Sequence, residues 1–149
     1  MVKKAKAVNE AEQLTKFMQL LRHPNRIEVK PDGWFWDKLC GVDRAPLEMI
    51  KHLNAEEGAA YAAEIGDRLA DDFELITLID HSKECPAIIE PFKKVPYNDW
   101  YWTRTPCGKS SLWCVDFYYG PVYLYHKASY NYVWPVRSSQ CQLDYLPVR

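Results

Sequence analysis

The chain reads as one α+β domain, with helices in its N-terminal half and a short antiparallel strand meander in its C-terminal half. Three observations predict this. Its 149 residues have the length of one ordinary domain, and a hydrophobic share of 48% suffices for a core. Apolar residues recur at helical spacing up to about residue 80, then switch to period two from Trp100. Ten prolines break the chain often, which suits a loop-rich α+β domain better than a helical bundle.

Residues 1–25 are expected to form a leading helix. Asn9 is its candidate cap, with Glu12 completing a capping box. Val8, Ala11, Leu14, Met18 and Leu21 fall at helical spacing with Phe17 beside them, and His23-Pro24-Asn25 ends the run. Such a helix packs on its own domain, on a partner or on a second copy. Arg26–Val29 is a short strand candidate. Pro31-Asp32-Gly33 is a turn, with Gly33 suited to positive φ, and Trp34-Phe35-Trp36 is extended. A second helix is expected from Asp43, with Leu47, Ile50 and Leu53 on its apolar side. It continues through the Ala- and Glu-rich run to Gly66, with Gly58 as a break. A third opens at Asp71, with Glu74 at the capping-box position. Phe73, Leu75, Ile76, Leu78 and Ile79 are its apolar side, and Pro86 bounds it.

Four strands follow: Trp100–Thr103, Leu112–Phe117, Val122–His126 and Asn131–Val136. The turns between them are placed at Thr105-Pro106-Cys107-Gly108, Tyr119-Gly120-Pro121 and Lys127-Ala128-Ser129.

Net charge is −1, so bulk electrostatics draws the protein to neither nucleic acid nor membrane. The charge is uneven: residues 1–30 carry +4, residues 31–103 carry −8 and residues 104–149 carry +3. The acidic middle is either a solvated helical surface or a face for a basic partner. The first residues are basic but lead into no apolar signal region, and no apolar run reaches the roughly 18 residues of a membrane-spanning helix. Five cysteines, Cys40, Cys85, Cys107, Cys114 and Cys141, form no C-x-x-C pair. An odd count with no export signal places the chain in a reducing cytoplasm with free thiols; in an oxidising compartment Cys107 and Cys114 are the expected pair.

Several chemical motifs are tested and set aside. His81 and Cys85 are four apart at a helix end, but no second ligand pair stands near them, so no metal is assigned. Gly108-Lys109-Ser110-Ser111 echoes a phosphate loop but lacks its first glycine and its strand-to-helix setting. Nothing beyond residue type links a cysteine nucleophile to His126.

The order of short motifs from residue 26 to 138 resembles the Lcl C-terminal-like domain family of bacteria and phage. The residues that carry the resemblance are Gly33-Trp34-Phe35-Trp36, Leu53-Asn54, Asp67-Arg68-Leu69-Ala70-Asp71, Glu74-Leu75, Leu78-Ile79-Asp80 and Cys85-Pro86-Ala87-Ile88. They continue through Tyr101-Trp102-Thr103-Arg104-Thr105-Pro106 and Trp113-Cys114-Val115-Asp116-Phe117 to Tyr132-Val133-Trp134-Pro135-Val136-Arg137. The resemblance implies a C-type-lectin-like fold related to the sulfatase-modifying, formylglycine-generating domain. Residues 1–25 and the tail 139–149 lie outside it. Against the family pattern, Ala70 replaces a proline, Tyr119 an aspartate and Trp134 an arginine, swaps expected to reshape surface contacts. Trp102, Trp113, Phe117 and Val136 are expected in the core, and Arg68 and Arg137 in ion pairs that staple loops. The copper-binding cysteines of a sulfatase-modifying enzyme do not map onto this chain. Nor does a calcium-dependent sugar site, since Glu90-Pro91 is followed by Phe92 and Asn98-Asp99 precedes Trp100.

The tyrosine-rich segment is the main functional signal. If Val122 and Leu124 face the core, Tyr123 and Tyr125 share the opposite face of the strand. Tyr118, Tyr119, Tyr123, Tyr125 and Tyr130, with Arg104 and Lys109 on an adjacent loop, are the candidate binding residues. Tyrosine offers large amphipathic contact area at low entropic cost. Otherwise these side chains cover the second side of a thin sheet. The expected function is a non-catalytic, cytoplasmic protein-recognition module without cofactor. The family's distribution suggests a phage- or prophage-encoded protein that blocks a host protein, with a homodimer through the leading helix as a further possibility. The alternatives are a glycan- or receptor-binding surface or tail protein, a cryptic enzyme, and a nucleic-acid mimic acting through the acidic middle.

Overall fold

Two capping boxes fix where the short helices begin. Asn54 Oδ1 accepts the Glu57 N–H at 2.8 Å while the Glu57 carboxylate accepts the Asn54 N–H, opening α2 (Ala55–Ile65). Asp71 and Glu74 do the same for α3 (Asp72–Ile76). The computed structural model describes residues 2–139, and the side chains of residues 10–139. The tail 140–149, with Cys141, lies outside the described residues.

The leading helix α1 spans Val2–Leu21, so Asn9 falls within it instead of capping it. The expected apolar stripe is largely unburied: Leu14 and Met18 are 60% and 64% exposed. The helix meets the domain at its C-terminal end. There Phe17 packs on Phe73 with centroids 5.9 Å apart, and Arg22 pairs with Asp80 at 2.6 Å.

Among the described residues, ten short strands build two five-stranded sheets. The first is ordered β1 (Ile27–Val29), β2 (Phe35–Asp37), β3 (Val42–Arg44), β10 (Pro135–Ser138), β5 (Arg68–Leu69). The second is ordered β4 (Lys51–Leu53), β9 (Asn131–Val133), β6 (Tyr101–Cys107), β7 (Ser111–Val115), β8 (Val122–His126). Gly33 takes φ +89° in the tight turn from β1 to β2, as its sequence context predicts.

The helix expected from Asp43 is absent. Val42–Arg44 is instead a fully buried strand between β2 and β10, followed by a 3₁₀ turn (Leu47–Met49) and β4. The reason is tertiary: Asp43 and Arg44 find buried ionic partners in the sheet, which outweighs local helical spacing. Gly58 does not break α2; it is buried there, where a Cβ would stand 2.6 Å from Val133 Cγ2. α3 ends at Ile76, ten residues before Pro86, and leaves Phe73 and Ile76 exposed.

In the C-terminal half, β6, β7 and β8 form the expected antiparallel meander. β6 runs on through Thr105-Pro106-Cys107, and the turn falls at residues 108–110. The last expected strand divides in two. β9 runs parallel to β6 in the second sheet, β10 joins the first, and Trp134 sits at the crossing with its indole donating to Ala45 O at 2.8 Å. Trp134 and Ala70 are buried, at 2% and 1% exposed, so neither lies at the surface as expected; Tyr119 is 59% exposed.

The larger core gathers Trp34, Leu75, Leu78, Phe92, Tyr101, Phe117, Trp134 and Val136. A second core packs α2 on the second sheet through Ala55, Ala62, Trp102, Leu112, Cys114 and Val133. Trp113 is only partly buried. Arg68 pairs bidentately with Glu74, both bonds at 2.8 Å, and Arg137 reaches Asp32 and Asp43. Cys107 lies opposite Ser111 and Cys114 opposite Trp102. Three strand positions, about 10 Å, separate the two cysteines along the hairpin, too far for a disulfide. Cys40, Cys85, Cys107 and Cys114 are all free.

Candidate binding surface

β8 is the edge strand of the second sheet, and neither of its faces is fully covered. Its register opposite β7 pairs Tyr125 with Leu112 and Tyr123 with Cys114, so both tyrosines lie on the face that also carries the α2 core. Their rings meet edge to face, centroids 5.9 Å apart. Val122 and Leu124 lie on the other face but are 38% and 37% exposed, so they are not core residues as expected. The short α3 and the end of α1 leave that face half open: Val122 lines a hollow with Phe17, Phe73 and Ile76.

A segment that sequence reasoning missed, Tyr97–Trp100, organises the tyrosines. Tyr97 packs against Tyr118 at 5.8 Å, and Tyr118 against Tyr119 at 4.4 Å. The Tyr132 hydroxyl donates to Asn98 Oδ1. Asp99 Oδ2 and His52 Nε2 lie 2.7 Å apart, and Tyr130 stacks on His52 at 6.3 Å. Trp100 contacts Tyr125 at 5.4 Å and Tyr123 at 6.2 Å. These residues anchor an aromatic ridge of three ring groups: Tyr118 and Tyr119 through Tyr97, Tyr130 through Asp99 and His52, and Tyr123 and Tyr125 through Trp100. Tyr119, Tyr123 and Tyr130 are each more than half exposed, Tyr118 less so, and Tyr125 is half-buried. The signal in the sequence was Asn98-Asp99-Trp100, but its partners His52 and Tyr132 are remote along the chain.

Polar groups beneath the ridge are occupied. Asp99 Oδ1 accepts the Trp100 N–H at 2.7 Å. In the amide orientation that satisfies its neighbours, buried Asn131 donates to Asp99 Oδ1 and Tyr130 O. Burial, then the Asp99 carboxylate, pushes the Cys114 thiol up to about 12. Burial also raises the Asp116 carboxyl, although the Tyr118 N–H bonds to it. Hydrogen bonding with Cys85, then with Tyr119, moves the Tyr118 phenol up to about 12.

Arg104 and Lys109 do not join the ridge. Arg104 is exposed on β6, and Lys109 is exposed in the turn that follows Gly108. Both stand at the end of β7 away from Tyr118 and Tyr119. Arg104 instead lines a hollow with Leu112, His126 and Lys127 against the start of α2. Among the described residues, no group of three or more His, Cys, Asp or Glu side chains could hold a metal ion, and no helix is long and apolar enough to cross a membrane.

A family model described as the Lcl C-terminal domain matches residues 9–137, taking in part of α1 as well as both sheets. No curated protein and no solved structure matches the chain.

Proposed function

The chain belongs to the Lcl C-terminal domain family, and from that premise we propose that it is a non-catalytic recognition module that binds a partner protein through the aromatic ridge. The observation that carries this reading is the set of exposed tyrosines, Tyr118, Tyr119, Tyr123 and Tyr130, held by ring contacts along Tyr97–Trp100. Pre-ordered aromatic side chains lose little entropy on binding and supply most of the anchoring energy in protein interfaces. Occupation of the His52–Asp99 pair and the strongly raised Cys114 thiol favour binding over chemistry.

The reading extends to setting. It takes the fold as C-type-lectin-like and the protein as phage- or prophage-encoded, acting in the host cytoplasm by sterically blocking a host protein. Four free thiols among the described residues support a reducing compartment. The exposed Leu14 and Met18 on α1 support a homodimer through that helix.

A glycan-binding reading has one observation of its own. Trp100, Tyr123 and Tyr125 form an aromatic cluster beside Asn98 and Asp99, and sugars stack on such rings while carboxylates and amides take their hydroxyls.

The test is affinity capture from bacterial lysate with wild type and with Tyr123→Ala/Tyr125→Ala, followed by an isotherm on the purified captured protein. A partner bound stoichiometrically by wild type and at least about tenfold more weakly by the double variant supports the proposal. Equal affinity for both overturns it, and retention of glycans with no protein partner moves the assignment to sugars.

A further inference from the structure

The hollow beside α2 has a composition unlike the ridge. Its volume is about 690 Å³, within the range of sites that enclose a peptide side chain or a small ligand. Its floor is apolar, made by Ala55 and Ala59 of α2, Leu69 of β5 and Leu112 of β7. Asn54, Glu56 and His126 also line it, and Arg104 and Lys127 stand at its edge. Neither forms an ion pair with a carboxylate among the described residues, whereas Arg22, Arg26, Arg44, Arg68 and Arg137 are all engaged.

Backbone bonds fix the frame. Ala55 N–H donates to Lys127 O at 3.0 Å, and Lys127 N–H donates to Ser110 O at 2.9 Å. These ties bring the start of α2, the turn after β8 and the turn after β6 to one place. Lys109, in that last turn, is exposed beside Ser110 and is not among the residues that line the hollow.

We propose that this hollow receives an acidic–apolar peptide segment of the partner, with a carboxylate between Arg104 and Lys127 and a neighbouring aliphatic side chain on the Leu69–Leu112 floor. Charge complementarity names the head group, because unpaired guanidinium and ammonium groups at an apolar surface favour a carboxylate over a neutral amide. The floor names the rest: a sulfated polysaccharide would bring charge but nothing apolar to cover two leucines and two alanines. Tyr123 and Tyr125 of the ridge share a sheet face with the hollow, since Leu112 on the floor is the strand partner of Tyr125. One extended segment can therefore engage both. The proposal rests on the protein-recognition reading and adds the chemistry of the bound segment.

The experiment is fluorescence anisotropy on the full chain with two labelled pentapeptides, Leu-Glu-Leu-Asp-Leu and its amide counterpart Leu-Gln-Leu-Asn-Leu. The proteins are wild type, R104Q/K127Q, A59E and the remote control K93Q/K94Q. Ala59 is exposed on α2, so Glu there places a carboxylate in the hollow without touching the core. The acidic peptide should bind wild type and the control alike, at least about tenfold tighter than the amide peptide. R104Q/K127Q and A59E should each weaken it by about tenfold or more. Equal binding of both peptides, or no change in either variant, overturns the proposal, as does dextran sulfate binding where the acidic peptide does not. Such a failure leaves the Tyr123→Ala/Tyr125→Ala result standing, so the two readings fail separately.

Discussion

Arg26 and Asp37 meet fork to fork in the interior, with Nε to Oδ1 and Nη2 to Oδ2 both at 2.9 Å. Arg44 approaches the same carboxylate from the next strand, its Nη2 2.6 Å from Oδ2. All three residues are almost fully buried. Arg26 also donates to Thr77 O and Arg44 to Glu74 O, so one aspartate ties the segment before β1, β2 and β3 to α3 and its C-cap. Removing one member of a buried ion pair strands its partners without compensation. Asp37→Asn should therefore lower unfolding stability by about 3–5 kcal/mol. Urea unfolding followed by tryptophan fluorescence measures it, and a loss under about 1 kcal/mol, the scale of an exposed pair, would contradict the assignment.

The same carboxylate sets an acid limit. Burial alone would raise its pKa, but the Arg44 and Arg26 guanidiniums outweigh burial and hold it at about 2, below its ordinary 3.8. A carboxyl whose folded pKa is depressed stabilises the fold above its unfolded pKa, and the contribution is lost as pH falls through the folded value. Arg68 and the Asp71 N–H act on Glu74 in the same sense, lowering it despite its burial. Stability should thus hold down to about pH 4 and fall steeply toward pH 2. Urea midpoints collected from pH 7 to pH 2 trace this, and a decline centred near pH 6 would point to histidine instead.

Glu74 joins local and tertiary structure. Its carboxylate accepts the Asp71 N–H at 2.9 Å and both terminal nitrogens of Arg68. Glu74→Ala removes half of the capping box and the Arg68 pair together, with an expected loss of about 2–3 kcal/mol. Glu74→Gln keeps an acceptor for the cap and should cost less. Equal losses for both would show that the cap contributes little.

What was legible in the sequence is what local rules determine. The Asp71–Glu74 capping box, the Gly33 turn and the period-two strands β7 and β8 follow from residues near one another in the chain. The helical spacing from Asp43 misleads because the ionic partners of Asp43 and Arg44 are remote along the chain, Arg137 and Asp37 in other strands and Lys30 just past β1. The tyrosines of the ridge were visible as a composition signal. Trp100, Asp99 and His52 were not, because contacts between residues 47 apart leave no local pattern. Trp134, expected at the surface, is buried because the chain crosses between sheets at that residue.

Gly58 is where a local rule and the packing oppose each other. In an exposed helix interior, Gly→Ala stabilises by about 1 kcal/mol, because alanine has less backbone entropy to lose. Here the glycine faces β9, with Val133 Cγ2 at 2.6 Å and Trp102 Cδ1 at 3.8 Å from a built Cβ. Val133 is fully buried and Trp102 nearly so, and the Trp102 indole donates to Leu53 O, so neither neighbour can withdraw freely. Overpacking of this kind costs about 1–3 kcal/mol. Gly58→Ala should therefore destabilise by up to about 2 kcal/mol net of the helical gain. Adding Val133→Ala should recover part of that loss relative to Val133→Ala alone, since the second substitution removes the clashing methyl. Thermal melts of the two single variants and the double variant form the cycle. A Gly58→Ala protein more stable than wild type would mean that α2 can lift from β9 without penalty.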